Sequence, residues 1–238
     1  MTRRIAILLT SNDDSDFAKR FPNDGEKFIA LLKPNRPDWH WETVSVKDNQ
    51  FPDHIDDFDG YITTGSPASV HDGEDWMVRL ERLIVELNAV KKPLIGVCFG
   101  HQIIAKALGG TVSKNPQGWE IGTSETRFTE PQAWMVPAQE TLTLYAAHKE
   151  QVSKLPDGAR TIGTTPGCPI SAFAIDDHIM TTEFHPEMQR DFMTELLDEM
   201  GGALTPKQRA RALADYEAGQ EGVIFGRWMI AFLENAIA

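Results

Sequence analysis

The sequence predicts an α/β protein with a mostly parallel central sheet flanked by helices and a helical C-terminal extension. Three observations predict it. Short apolar runs of strand length alternate with longer segments of helical apolar spacing through the first half of the chain, the pattern of a parallel sheet covered on both faces. In the run Pro93-Leu94-Ile95-Gly96-Val97-Cys98-Phe99-Gly100-His101-Gln102, an apolar strand gives way to an apolar helix at a cysteine flanked by glycines. From about Met188 onwards the chain reads as helix, cut into three pieces by Gly201-Gly202 and by Gly219 to Gly222.

In chain order, Arg4 to Thr10 reads as a buried first strand. Asp16 to Leu32 has helical spacing interrupted near Pro22 to Gly25, and Trp39 to Val46 alternates like a strand. Gly60 to Thr64 is a short apolar strand ending in Gly65-Ser66-Pro67. Glu74 to Val90 is a helix whose Trp76, Leu80, Leu83, Ile84 and Leu87 share one face. Pro93 to Val97 is the strand before the cysteine and Gly100 to Leu108 the helix after it. Beyond Gly110 the segments are short and strand-like: Thr111–Val112, Glu120–Phe128, Thr141–Tyr145, Thr161–Gly163 and Ser171–Ile175. His178 to Phe184 is a further strand, running into His185-Pro186-Glu187. In the last helical stretch, Phe225, Trp228, Met229 and Phe232 are spaced as one apolar face, suited to core packing or to a homodimer surface.

A chain of 238 residues, 41% hydrophobic, can bury one sizeable core, or one core and a small appendage. No repeat, low-complexity tract or clear linker interrupts it, so the expected division is one α/β unit over residues 1–190 and a helical extension packed on it over 191–238. The net charge of −12, with no basic run, argues against a nucleic-acid or anionic-membrane partner. Two cysteines, Cys98 and Cys168, make no disulfide framework, which fits a reducing compartment; pairing them would silence Cys98. The apolar run Ile5 to Leu9 is too short for a signal-peptide core, and no stretch reaches membrane-spanning length. The expectation is a soluble cytoplasmic protein.

Gly-x-nucleophile-x-Gly at a strand-to-helix turn is the nucleophile elbow. The turn is sharp, so Gly96 and Gly100 supply neighbours without bulk. The sulfur then sits at a helix N-terminus, where the dipole favours a thiolate. The alternative reading of Cys98 is a buried, inert core thiol. A cysteine nucleophile needs a base and an orienting group. His185 follows a strand, and Pro186 biases it towards an extended conformation. Residues two apart in extended chain point to one side, which lets Glu187 reach the imidazole. Read alone, His185 is better taken as a strand-end histidine capping a turn; the elbow at Cys98 reverses that preference. The backbone N–H of Phe99 is an oxyanion donor by elbow geometry, and the Gly65-Ser66 turn is a candidate second donor or a plain loop glycine. His71, Asp72 and Glu74 match no strong metal-ligand spacing and read as a polar loop; no metal is expected.

The motifs Gly96-Val97-Cys98-Phe99-Gly100-His101-Gln102 and Phe184-His185-Pro186-Glu187 together resemble those of the class I (triad) glutamine amidotransferase family. The resemblance covers about residues 4–190. It implies the flavodoxin-like fold of that family, a Cys98–His185–Glu187 triad, and an oxyanion loop Thr64-Gly65-Ser66-Pro67 with Gly65 as donor beside Phe99. It implies that Gln102 and Ser66 help line the substrate pocket, and that the segment Ala147-His148-Lys149-Glu150-Gln151-Val152 contacts the amino-acid end of the substrate. No cofactor is required for the implied thioester chemistry. Ser66 stands where the family often has a second glycine, and Glu150 where it often has aspartate; both changes lie near the substrate and leave strict glutamine specificity open. No nucleotide-binding loop of the Gly-x-x-x-x-Gly-Lys-[Ser/Thr] type occurs. Three readings follow: a hydrolase of γ-glutamyl compounds similar to the γ-glutamyl peptidase branch, a glutaminase delivering ammonia to a separately encoded synthetase, and a non-catalytic binding protein that kept the fold.

Overall fold

The computed structural model describes residues 2–237. Strands β1 (Arg4–Leu8), β2 (His40–Val44), β3 (Gly60–Thr63) and β4 (Leu94–Val97) are followed by the two short strands β5 (Thr111–Lys114) and β8 (Glu150–Lys154), which pair with each other, and by β6 (Glu120–Phe128), β7 (Thr141–His148), β9 (Ala159–Thr164), β10 (Ala172–Ile175) and β11 (Ile179–Thr182). The main sheet has nine strands in the order β2-β1-β3-β4-β11-β10-β9-β6-β7. Its first five strands, β2 to β11, are parallel; the other four join antiparallel. The expected α/β class therefore holds, with the parallel half of the sheet carrying the cysteine elbow.

Alternation along the parallel strands builds two cores. Ile5 and Ile7 of β1 face one layer while Ala6 and Leu8 face the other. The second layer is α2 (Asp75–Ala89) and α3 (Phe99–Ala107), and α2 buries Trp76, Leu80, Leu83, Ile84 and Leu87 as its spacing predicts. The first layer is α1 (Asp24–Leu32) with α6 (Gly222–Ile237), the last of the C-terminal helices after α4 (Arg190–Met200) and α5 (Pro206–Ala218). Phe225, Trp228, Met229 and Phe232 of α6 are each at most 1% exposed. Of the two uses open to that face, packing in this chain's own core is the one realised, and none of it remains for a second copy.

Two elements depart from the sequence expectation. The segment from Asp16 forms only a single tight turn, Ala18–Arg20, before α1 begins at Asp24. Pro22 and Asn23 explain the break: the Asn23 side chain accepts from Glu26 N (3.0 Å), and the Glu26 carboxylate accepts from Asn23 N (2.8 Å), so α1 is capped afresh. Strand β8 is the second departure, because Glu150-Gln151-Val152-Ser153-Lys154 is too polar to announce a strand; its pairing with β5 supplies what its composition lacks.

Candidate active site

The site lies at the carboxyl ends of the parallel strands, where sheets of this kind place their ligands. Cys98 bridges β4 and α3 with φ 50° and ψ −108°, a conformation that side-chain-bearing residues rarely adopt. Its backbone N–H donates to the Thr182 carbonyl at the end of β11 (2.9 Å), which fixes the elbow to the neighbouring strand. Gly100 makes the turn possible: a Cβ there would collide with the Thr63 carbonyl oxygen of β3.

The same strand ends deliver the imidazole. His185 N donates to the Tyr145 carbonyl of β7 (2.8 Å), and its Nδ1 lies 2.8 Å from Oε1 of the fully buried Glu187. Burial alone would depress the imidazole pKa; the Glu187 carboxylate and the Cys98 side chain outweigh it and raise the pKa well above the ordinary histidine value. The turn carrying this pair is held from outside the parallel half. Gln220 Nε2 donates to the Pro186 and Met188 carbonyls (3.2 and 3.3 Å), and Gly222, first residue of α6, has no room for a Cβ against the Pro186 carbonyl.

Gly65 sits against both side chains. A Cβ built on it would be 2.9 Å from His185 Cε1 and 3.7 Å from Cys98 Cβ. Thr10, at the end of β1, donates its hydroxyl to the Gly65 carbonyl (2.8 Å) and so orients that peptide. Phe99 occupies the first position of α3, where a backbone N–H has no partner within its helix.

Two cavities meet at Cys98 and Ser66. The smaller, about 60 Å³, is lined by Gln102, Trp119, Lys149 and Glu150, and His148 borders it. Gln102 Nε2 donates to the Glu150 carbonyl (2.8 Å) and to Glu183 Oε1 (2.7 Å), and the Glu150 carboxylate accepts from Ser69 Oγ (2.7 Å). Lys149 is exposed, with Nζ 5.5 Å from the Trp119 ring. The His148 imidazole is buried, with Nε2 3.4 Å from Glu120 and Nδ1 4.0 Å from Glu183. The larger cavity, about 620 Å³, contains His185 and Gly65 and extends over α1 and α4.

Sequence reasoning missed Glu183, Thr10 and the pair Asp24–Lys27. Glu183 is fully buried, and burial drives its carboxyl pKa well above the ordinary value, opposed by His148 and Gln102 and aided by Cys98. His101 beside it is held down to about 3 by burial and by His148, so its ring is neutral at pH 7. Glu183 stands two residues before His185 in the segment that follows β11, the same step that links His185 to Glu187 and the one signal that could have exposed it. Cys168 is a separate buried thiol pushed up by burial; both cysteines are free. Among the described residues no cluster of three or more His, Cys, Asp or Glu side chains is arranged to hold a metal, and no helix is long and apolar enough to cross a membrane.

This fold is shared with solved glutamine amidotransferases. The solved glutamine amidotransferase of Thermotoga maritima matches it with a TM-score of 0.75 at 17% identity, covering 99% of this chain and 98% of that one. The chain belongs to the class-I glutamine amidotransferase family of enzymes, whose model matches residues 40–198. Among curated relatives, γ-glutamyl peptidase 2 of Arabidopsis thaliana is 30% identical over 206 residues, 83% of this chain and 81% of that protein. γ-Glutamyl peptidase 3 of the same plant is 27% identical over 208 residues, 83% and 82% of the two chains.

Proposed function

We propose that the protein hydrolyses γ-glutamyl amide bonds through a thioester on Cys98. The reading is supported by the His185 imidazole, which lies 2.8 Å from the Glu187 carboxylate and packs against the same Gly65 as the elbow Cys98. The sulfur attacks the γ-carbonyl carbon, and the Phe99 and Gly65 N–H groups receive the oxyanion. His185 gives a proton to the leaving nitrogen as the C–N bond breaks, then takes one from the water that cleaves the thioester and frees glutamate. Glu187 orients the imidazole and stabilises its charged form. Gln102, Ser66, His148, Lys149 and Glu150 border the smaller lobe, where the opposite charges of Lys149 and Glu150 suit the carboxylate and ammonium of a glutamyl group. Residues 1–190 form the catalytic unit and 191–238 the extension that braces its His185 turn.

The size of the His185 lobe favours an amide larger than glutamine, in keeping with the γ-glutamyl peptidase relatives. Glutamate release from a panel of γ-glutamyl amides by the purified chain tests the reading. Cys98→Ala is expected to lose activity by about 10³-fold or more, and intact-protein mass spectrometry of the wild type under turnover should show a glutamyl adduct on Cys98. Silence on every γ-glutamyl compound would leave a binding protein; turnover of glutamine alone would leave a glutaminase serving a separate synthetase.

A further inference from the structure

We propose that the amine released by this enzyme carries an aromatic or bulky apolar group and no carboxylate, and that it is held against Phe17, Phe21 and Phe192. The inference rests on the γ-glutamyl hydrolase reading above and names the substrate class for it. The general acid fixes direction. His185 must touch the departing nitrogen, and His185 opens into the larger lobe, not the smaller one. The departing group therefore extends into a cleft of about 620 Å³, the size of a site for a small organic molecule and far larger than ammonia needs.

The lining of that cleft includes an aromatic cluster. Phe17 and Phe21 lie 5.5 Å apart, Phe17 and Phe192 5.2 Å, and Phe21 and Phe192 5.3 Å between ring centroids, the last pair edge to face. Met188 and Met200 line the same cleft, and unbranched thioethers adapt to irregular apolar shapes. Aromatic rings and methionines open to a cavity that begins at the reacting sulfur form a recognition surface for an apolar ligand.

The charges exclude a carboxylate. Three lysines line the cleft, and each already has its own acid. Lys27 Nζ is 2.9 Å from Asp24 and lies 3.6 Å from the Phe192 ring centroid; Lys47 is 3.1 Å from Asp48; Lys19 is 3.7 Å from Asp16. Asp13, Asp14 and Glu199 add further negative charge to the lining. The carboxylate of a γ-glutamyl amino acid would enter this field with Lys27, Lys47 and the Arg20 beside Phe17 already paired to Asp24, Asp48 and Glu195, and with Lys19 out in solvent, whereas the simple amide of an arylalkyl amine carries no such charge.

The reaction is balanced by water alone. The γ-glutamyl amide and water give glutamate and the free primary amine, the C–N bond being exchanged for C–S and then C–O, with His185 carrying the proton. The test compares kcat/KM of the intact chain for γ-glutamyl phenylethylamide, γ-glutamylphenylalanine and glutamine. The first two differ only in the carboxylate. The phenylethylamide should exceed glutamine by about tenfold or more, the effect of burying one aromatic side chain, and γ-glutamylphenylalanine by about tenfold or more, the effect of burying a carboxylate that finds no free cation. Phe192→Ala should shrink its advantage over glutamine, and Asp48→Asn, which releases Lys47, should shrink its advantage over γ-glutamylphenylalanine. Equal or better turnover of γ-glutamylphenylalanine or of glutamine by the wild type overturns the inference and leaves the hydrolase reading standing. Failure of all three substrates, with Cys98 gaining no glutamyl adduct, brings down the hydrolase reading and this inference with it.

Discussion

Cε1 of His185 lies 2.9 Å from the point where a Cβ on Gly65 would stand. The imidazole cannot retreat freely, because its Nδ1 faces the buried Glu187 carboxylate at 2.8 Å. Gly65 is in turn fixed by the Thr10 hydroxyl. Glycine at 65 therefore sets the clearance in which the imidazole approaches Cys98. Gly65→Ala should displace the ring by a fraction of an ångström and lower kcat by about 10²-fold. Steady-state kinetics with a thermal melt checks it: kcat should fall while the melting temperature moves little, since the clash is with one side chain and not with backbone.

Glu187→Gln removes the first of the two groups that raise the His185 pKa, so the imidazole should titrate lower in the variant by NMR. The sign for stability follows from the raised value. A histidine that holds its proton more tightly when folded contributes stability fully below its unfolded pKa of about 6.5 and loses it as pH rises through the folded value. The variant's deficit in urea midpoint should accordingly be largest below about pH 6.5 and narrow at higher pH. A deficit that grew with pH would contradict the assignment.

Glu183 makes the same sign argument from an acid. Its folded carboxyl holds a proton well above the ordinary carboxylate range because it is buried, so the folded state binds that proton better than the unfolded chain does. Stability from this group is full below about pH 4.5 and falls as pH rises towards the folded value. Glu183→Gln keeps an acceptor for Gln102 without a titrating proton; its urea midpoint should match or exceed that of the wild type at pH 7, and its loss on raising pH from 4 should be shallower. Glu183→Leu removes the acceptor, leaves the Gln102 amide short of a partner, and should cost about 1–3 kcal/mol.

Trp228 tests the C-terminal helix. It is fully buried, packs edge-on against Phe128 with centroids 4.8 Å apart, and donates Nε1–H to the Pro137 carbonyl (2.8 Å). Trp228→Ala should cost about 3–5 kcal/mol in chemical denaturation. Loss on that scale makes α6 part of the core that carries the site; a loss of a few tenths would make it a detachable appendage.

Much of this was legible in the sequence because it depends on neighbours in the chain. The alternation of β1, the amphipathic face of α2, the glycines around Cys98 and the two-residue step from His185 to Glu187 all reflect local geometry, in which side-chain direction follows from backbone period. The four apolar residues of α6 were legible as a face, but the sequence could not tell a core from an interface, since both demand the same spacing. Tertiary structure alone decided which strand ends meet. It set Thr10 under Gly65, Glu183 behind Gln102, and Gln220 and Gly222 against the Pro186 carbonyl. It also assembled three phenylalanines from the segment before α1 and from α4, and placed them beside lysines already engaged by nearby acids. Contacts across long loops leave no period in the sequence, because chain closure brings residues together whatever lies between them; the proposed triad could be read from its motifs, but the shape and charge of the cleft beside it could not.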